Sequence, residues 1–195
     1  MTVAAAVLAA GRGSRLETQT PKPLTLLDGR PLVAWALDAP RAAQLSPVLL
    51  VVGRARRAVG RNAPSDVDVV RARRWRQGIA HSLRAALAAL ADTASDAVCV
   101  GLADQPLVGP DAYRRLARAH EQGARLAVAT YRGQRANPVL LDRSLWPAAA
   151  QLRGDVGARA LMGAHDVVDV DCTGTGDPSD VDTLDDLRAL EGRTR

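Results

Sequence analysis

Short apolar runs and longer amphipathic segments alternate along this chain. The apolar runs predict strands over residues 3–8, 48–52, 67–70, 97–102, 126–130, 138–141 and 167–170. The amphipathic segments predict helices over residues 31–41, 78–90, 111–122, 144–151, 156–162 and 183–190. This alternation indicates a single-domain, Rossmann-like α/β fold, with a mostly parallel sheet and helices on both faces. We expect one domain over residues 1–190 and a frayed tail over 191–195.

Composition is that of an ordinary globular protein. The chain has 195 residues, of which 47 % are hydrophobic and 24 % charged, and it has no Phe, so the predicted core is aliphatic. Cys99 and Cys172 show no CxxC spacing and are interpreted as buried or semi-buried thiols. The apolar run at 3–8 is followed at once by Arg12 and Arg15, which is not the pattern of a signal peptide. No apolar stretch approaches the ~20 residues of a membrane helix, so we expect a cytoplasmic protein with no membrane partner.

The net charge of +5 is concentrated in two arginine-rich segments, 54–57 and 71–76. Such clusters are typical either of phosphate-bearing partners or of a solvated charged face. Only Trp75 interleaves with the second cluster, which weakly supports stacking on nucleic acid. We therefore expect no nucleic-acid partner.

Lys22 is the single lysine among 26 basic residues, and it follows a glycine-bearing turn closely. A lysine ammonium is a compact charge on a flexible stem, which suits following a phosphate through a reaction, whereas arginine offers a rigid planar fork. The alternative interpretation is a solvated loop lysine. The presence of a single lysine in a chain that otherwise uses arginine favours a functional role for Lys22.

Two features are predicted to meet at the carboxyl edge of the sheet, where open parallel sheets bind ligands. Gly11 and Gly13 follow the first strand, and glycines let backbone amides approach phosphate oxygens closely. Asp104 follows the strand at 97–102. The glycine spacing matches neither familiar phosphate-binding motif, because Leu16 stands where GxGxxG requires its third glycine and no GxxxxGK[ST] is present.

The acidic residues at this edge suggest a metal. Mg²⁺ takes one or two carboxylates together with phosphates and waters, so Asp104 supplies half of a site, and the acidic cluster Asp180-Val181-Asp182-Thr183 is the candidate for the other ligand. Arg15 and Lys22 then face the phosphates. In the alternative interpretation, Asp104 caps a helix or turn, and Asp180 or Asp182 caps the last helix.

These segments together carry a family resemblance. They are Leu-Ala-Ala-Gly-Arg-Gly-Ser-Arg at 8–15, Pro-Lys-Pro-Leu at 21–24, Gly-Arg-Pro-Leu at 29–32, Trp75 with Gly78 and Ser82, Leu-Ala-Asp-Gln-Pro at 102–106, Gly-Asp-Val-Gly-Ala-Arg at 154–159, and Asp-Val-Asp-Thr at 180–183. In this order they resemble the MobA-like nucleotidyltransferases, and among them the molybdenum cofactor cytidylyltransferases. The resemblance implies a fold of the nucleotide-diphospho-sugar transferase type.

The resemblance also implies site residues and a reaction, in which a nucleoside monophosphate moves onto a phosphate-bearing acceptor and pyrophosphate is released. The implied nucleotide-binding residues are Leu8, Ala9, Ala10, Gly11, Gly13, Arg15, Lys22, Gly78 and Ser82. The implied catalytic residues are Arg15, Lys22 and Asp104, and the implied Mg²⁺ ligands are Asp104 and Asp182. The implied acceptor-binding residues are Asn137, Asp155 and Arg159.

Two positions bear on the substrates. Ala10 gives the Leu-Ala-Ala-Gly form that resembles cytidine users, whereas guanosine users typically show Leu-Ala-Gly-Gly, so CTP is the expected nucleotide. Asn137 stands where many cytidylyltransferases show the histidine of Gly-His-Pro-Val. That departure leaves the acceptor open among molybdopterin, another pterin, a sugar phosphate and an alcohol phosphate. A nicotinamide-dependent oxidoreductase and a nucleic-acid-binding module are the alternative classes, and the oligomeric state is open.

Overall fold

The computed structural model describes residues 1–11 and 20–193. The strands are Val3–Ala9 (β1), Leu26–Leu27 (β2), Arg30–Pro31 (β3), Val48–Val52 (β4), Val67–Arg71 (β5), Ala97–Leu102 (β6), Leu126–Tyr131 (β7), Gln134–Asp142 (β8) and Val168–Asp171 (β9). The α-helices are Leu32–Ala42 (α1), Arg56–Gly60 (α2), Ile79–Leu90 (α3), Pro110–Glu121 (α4), Trp146–Ala149 (α5) and Leu184–Leu190 (α6). Short 3₁₀ turns cover Lys22–Leu24, Trp75–Gln77, Arg143–Leu145 and Ala158–Gly163.

One seven-stranded sheet organises the molecule, in the order β5-β4-β1-β6-β8-β7-β9. Strand β8 runs antiparallel to its neighbours β6 and β7, and the other pairings of this sheet are parallel. The reversal comes from the two-residue turn at Arg132 and Gly133, which both have positive φ, as a tight hairpin requires. The predicted α/β fold with a mostly parallel sheet is confirmed.

The central strand β1 is buried on both of its faces, which explains why helices lie on both sides of the sheet. Ala4, Ala6 and Leu8 pack in one buried cluster with the apolar side of α3. Ala5 and Val7 point to the opposite face and pack with α1. Because successive strand residues alternate between faces, an all-apolar run such as β1 requires cover on both sides. The helices on both faces of the sheet supply that cover.

Several local predictions need correction. The segment predicted as a helix over 156–162 is the 3₁₀ turn Ala158–Gly163, in which Ala158 and Leu161 are the buried residues. Their spacing of three suits a 3₁₀ turn, in which side chains at i and i+3 eclipse. The helix predicted over 144–151 is a 3₁₀ turn followed by the four-residue α5. Strand β8 is nine residues long rather than the four predicted over 138–141, and helix α2 and the β2–β3 hairpin were not predicted.

Cys99 and Cys172 are both buried and unpaired with each other, as expected. The frayed tail at 191–195 remains a prediction. In its described part the Gly192 amide donates to Asp28, and Arg193 pairs with Asp177 at 2.7 Å. Across residues 1–11 and 20–193, no helix has the length and apolar character needed to cross a membrane.

Candidate active site

A cavity of about 440 Å³ opens at the carboxyl edge of the sheet, and we call it the main crevice. Strands β1 and β6 are paired in parallel, with Leu8 opposite Leu102, so the segments that follow them emerge side by side. Its lining residues are Leu8, Ala10, Gly11, Lys22, Trp75, Arg76, Gly78, Ile79, Ser82, Leu102, Asp104, Asp155 and Asp182. Nine of the residues predicted from the sequence are in this set.

Other predicted residues lie elsewhere. Ala9 belongs to the buried cluster on the opposite face of β1, together with Val33 and Leu37 of α1, and it is not among the residues that line the crevice. Gly13 and Arg15 lie outside the described residues. Asn137 and Arg159 line a neighbouring cavity described below.

Lys22 is at the centre of the charged side of the main crevice. Its Nζ donates to Asp104 Oδ2 at 2.5 Å and to Asp182 Oδ1 at 2.7 Å, and its side chain is only 11 % exposed. Burial by itself lowers the pKa of Lys22, but the charges and hydrogen bonds of the two carboxylates outweigh it, so the pKa is raised. Lys22 is therefore a charged, partly buried cation, and the solvated-loop interpretation is wrong.

The Asp182 carboxylate lines the crevice, where it accepts from Lys22, and the cap of α6 comes from the next residue. Thr183 caps α6, accepting from the Asp186 amide while the Asp186 carboxylate accepts from the Thr183 amide, which is a complete capping box. The amide of Val181 donates to the Asp104 carbonyl at 2.8 Å, which ties this segment to the end of β6. The alternative that Asp180 or Asp182 caps the helix is therefore wrong.

The donor set fits a hard divalent cation. Two carboxylate oxygens, from Asp104 and Asp182, already converge on one cationic atom, Lys22 Nζ. Within residues 1–11 and 20–193, no three His, Cys, Asp or Glu side chains gather as a metal site. A metal held here would therefore complete its shell with phosphate oxygens and water, which is the habit of Mg²⁺.

Gly78 brings the start of α3 against the opposite wall of the crevice. It has a φ of +107°, and a Cβ on it would lie 2.1 Å from the carbonyl carbon and oxygen of Gly154. The Ala80 amide also donates to the Gly154 carbonyl at 3.2 Å. Only glycine permits this contact, and the contact places Asp155 at the crevice.

Trp75 forms another part of the wall. A Cβ built on Gly53 would lie 2.6 Å from Cγ of Trp75 and 2.9 Å from the carbonyl oxygen of Ala10. Gly53 thus allows the indole to pack beside the Ala10 backbone. His81, by contrast, lines a different cavity with Arg74 and Arg84.

A second cavity of about 240 Å³ adjoins the main crevice, and the two share Leu8, Ile79, Leu102 and Asp155. The three predicted acceptor residues, Asn137, Asp155 and Arg159, all line this second cavity. Its remaining lining residues are Leu83, Val100, Gln105, Gly157, Ala158 and Asp180. Sequence reasoning gave no role to Gln105, because a single glutamine carries no signal of its own.

Asp180 lies at the rim of the second cavity. The residue is exposed overall, yet partial burial of its carboxyl group and the nearby charge of Asp104 raise its pKa. Its carboxylate oxygens add hydrogen-bond acceptors to this rim. The rim is therefore rich in hydrogen-bond acceptors.

The fold and the crevice place this molecule among the nucleotidyltransferases of the nucleotide-diphospho-sugar transferase fold. Its sequence matches the MobA-like NTP transferase domain over residues 5–169, and the chain belongs to that family.

Solved structures agree with this assignment. The crystal structure of Rv0371c from Mycobacterium tuberculosis H37Rv is 33 % identical, with a TM-score of 0.84 over 97 % of this chain and 96 % of that one. A manganese complex of Rv0371c is 30 % identical, with a TM-score of 0.81 over 97 % and 98 % of the two chains. A nucleotidyl transferase from Methanothermobacter thermautotroptrophicus shares the fold, with a TM-score of 0.83 at 21 % identity over 98 % and 97 % of the chains.

Among curated relatives, the bifunctional protein GlmU of Pelobacter propionicus is 37 % identical over 132 residues. The match covers 67 % of this chain but only 28 % of that protein. The similarity therefore concerns one part of a longer relative.

Proposed function

We propose that this chain transfers CMP from CTP onto the phosphate of molybdopterin in a Mg²⁺-dependent reaction that releases pyrophosphate. One observation carries the proposal: Lys22 is held between Asp104 and Asp182 in a crevice that Ala10 and Gly11 also border. A lysine cation, two carboxylates and a glycine-bearing strand end together suit the binding of a nucleoside triphosphate and its metal ion.

The chemistry is an in-line displacement. An oxygen of the acceptor phosphate forms a bond to the α-phosphorus, and the bond from that phosphorus to the bridging oxygen breaks, so pyrophosphate leaves with the electron pair. The Lys22 ammonium can leave its carboxylates and neutralise charge on the phosphates. The acceptor phosphate is already ionised, so no strong general base is required.

Asp104 and Asp182 would hold the Mg²⁺ ion. When bound, it would stabilise negative charge on the phosphate oxygens. The manganese complex of the related Rv0371c supports a divalent ion in this family.

The choice of CTP is supported at Ala10. This residue is 3 % exposed and lines the crevice beside Trp75. A methyl group there, in place of a glycine hydrogen, takes up room beside the base and favours a pyrimidine over a purine.

The second cavity supports a phosphorylated acceptor. Arg159 offers a cation to the phosphate, while Asn137 and Asp155 offer polar contacts next to apolar walls. A second candidate function is that of a sister transferase for another phosphorylated acceptor, such as a sugar phosphate. Asn137 supports this candidate, because it stands where many cytidylyltransferases show a histidine.

The test is pyrophosphate release with Mg²⁺, each nucleoside triphosphate in turn, and molybdopterin or a sugar phosphate. We expect release with CTP and molybdopterin. Asp104→Ala and Lys22→Ala should fold normally by circular dichroism yet lose transfer, whereas Asp68→Ala, at an exposed site on β5, should keep it. Retained turnover by folded Asp104→Ala would exclude the metal-binding role of Asp104, and release only with a sugar phosphate would favour the second candidate.

A further inference from the structure

Gln105 is a buried polar side chain whose amide has a hydrogen-bond partner at each end. It follows Asp104 directly at the end of β6 and is only 4 % exposed. Its Nε2 donates to the Pro178 carbonyl at 2.9 Å, while its Oε1 accepts from Asn137 Nδ2 at 3.0 Å. A buried glutamine with a partner at each end of its amide is fixed in one orientation.

These contacts determine which way the Asn137 amide faces. A backbone carbonyl can only accept a hydrogen bond, so the Gln105 group that faces Pro178 must be Nε2, and Oε1 must face Asn137. Since Oε1 can also only accept, Asn137 must turn its Nδ2 toward Gln105 and its Oδ1 away. Within the described chain no group donates to Asn137 Oδ1, and Asn137 lines the second cavity.

We propose that Gln105 is a positioning residue for the acceptor: it holds Asn137 so that a carbonyl oxygen, rather than an amino group, is presented to the second cavity. The cavity then selects acceptors that carry a hydrogen-bond donor at that point. This inference rests on the proposed function, because it takes the second cavity to be the acceptor site.

The same constraint would act on a histidine placed at position 137 by substitution. An imidazole facing Gln105 Oε1 would have to donate its N–H there, and in the neutral ring the other nitrogen would carry a lone pair. Neutral histidine and asparagine therefore present the same hydrogen-bond acceptor to the cavity. They differ in that a histidine loses its lone pair on protonation, near pH ~6.5, whereas asparagine does not titrate.

The surrounding groups define the class of acceptor. Asp155 and Asp180 add carboxylate oxygens to the Asn137 carbonyl, and Arg159 adds one cation. The walls between them are aliphatic, formed by residues such as Leu83 and Val100. A flat heterocycle with several N–H donors and a phosphate tail fits this arrangement better than a sugar, whose hydroxyl groups would meet the apolar walls.

The first experiment needs no acceptor. Urea unfolding of the wild type, Gln105→Met, Asn137→Leu and the double variant forms a double-mutant cycle. A net hydrogen bond of ordinary strength predicts a coupling of about fivefold in the unfolding equilibrium constant. Strictly additive effects would show that the two side chains do not interact in solution and would overturn the proposal.

The second experiment measures KM with CTP, Mg²⁺ and molybdopterin. In Gln105→Met the KM for molybdopterin should rise about tenfold, as expected when a polar partner is misoriented, while the KM for CTP stays unchanged. Equal increases in both KM values would indicate a merely structural role and would contradict positioning.

The pH profile of Asn137→His gives a readout that a structural role would not produce. The ratio of its molybdopterin KM to that of the wild type should stay near one at pH 8 and rise about tenfold by pH 5.5, as the ring loses its lone pair. A ratio that does not change with pH would overturn the proposal. If the wild type transfers to no phosphorylated acceptor, the proposed function fails, and the unfolding cycle still decides whether Gln105 orients Asn137.

Discussion

Lys22 occupies the position between two carboxylates that a divalent ion would take, so removing it should strengthen metal binding while abolishing transfer. In Lys22→Met a side chain of similar length loses the charge that now pairs with Asp104 and Asp182. In the wild type without nucleotide, a metal ion has to displace the ammonium. In the variant, the Lys22 ammonium no longer competes with the metal for the two carboxylates.

The expected gain in metal affinity follows from the strength of the two ion pairs that Lys22 makes with Asp104 and Asp182. The pair with Asp104 is short at 2.5 Å and partly buried, with side-chain exposures of 11 % and 28 %, so it is worth about 2 kcal/mol. Asp182 is 38 % exposed, and solvent screening reduces its contribution to about 1 kcal/mol. Since ~1.4 kcal/mol is tenfold in affinity, loss of this competition should tighten metal binding by about 100-fold.

The assay is titration of Mn²⁺ into protein without nucleotide, with free metal followed by electron paramagnetic resonance. Lys22→Arg is the matched control, because it keeps a cation near the carboxylates and should bind Mn²⁺ much less tightly than Lys22→Met. Equal or weaker Mn²⁺ binding by Lys22→Met would refute the reasoning that the lysine and the metal share one site.

Three further predictions concern the fold. Gly78→Ala should destabilise the protein by about 3 kcal/mol and raise the KM for CTP, because the added Cβ would collide with the Gly154 backbone. The control is Gly163→Ala, whose added Cβ meets open space. It should have little effect in the same denaturation and kinetic assays. Thr183→Ala should cost about 1 kcal/mol, or about 3 °C in Tm by calorimetry, whereas Thr183→Ser should keep the cap. Cys99 and Cys172 should stay unreactive to a thiol reagent at pH 8 until the chain unfolds, because burial raises both pKa values, that of Cys172 to about 11; rapid native labelling would contradict this.

The fold was largely predictable because its central strands are continuous apolar runs. The runs at 48–52 and 97–102 have the predicted boundaries, since a strand buried on both faces is apolar throughout. The length of strand β8 was underestimated because its first two residues, Gln134 and Arg135, are polar and exposed, and the next two are only half-buried, so this part lacks that signal. Its full length depends on pairing with β7, which is a tertiary property.

The candidate site was predictable only where topology dictates it. Lys22, Asp104 and Asp182 follow or adjoin elements that end at one edge of the sheet, so their convergence follows from the α/β order. The role of Gln105 depends on the Pro178 carbonyl, 73 residues away in sequence. Such a contact leaves no periodicity or motif, and for that reason sequence reasoning missed it.

Asp155 lines both the main crevice and the second cavity, together with Leu8, Ile79 and Leu102. A nucleotide in the main crevice and an acceptor in the second cavity would therefore contact the same four residues. If one of these ligands shifts the shared residues, the affinity for the other ligand should change. Thermodynamic linkage then demands symmetry: the factor by which bound triphosphate alters acceptor affinity equals the factor by which bound acceptor alters triphosphate affinity. The close approach of Gly78 to the Gly154 carbonyl and the Asp155 amide leaves this segment little room to shift without moving the start of α3.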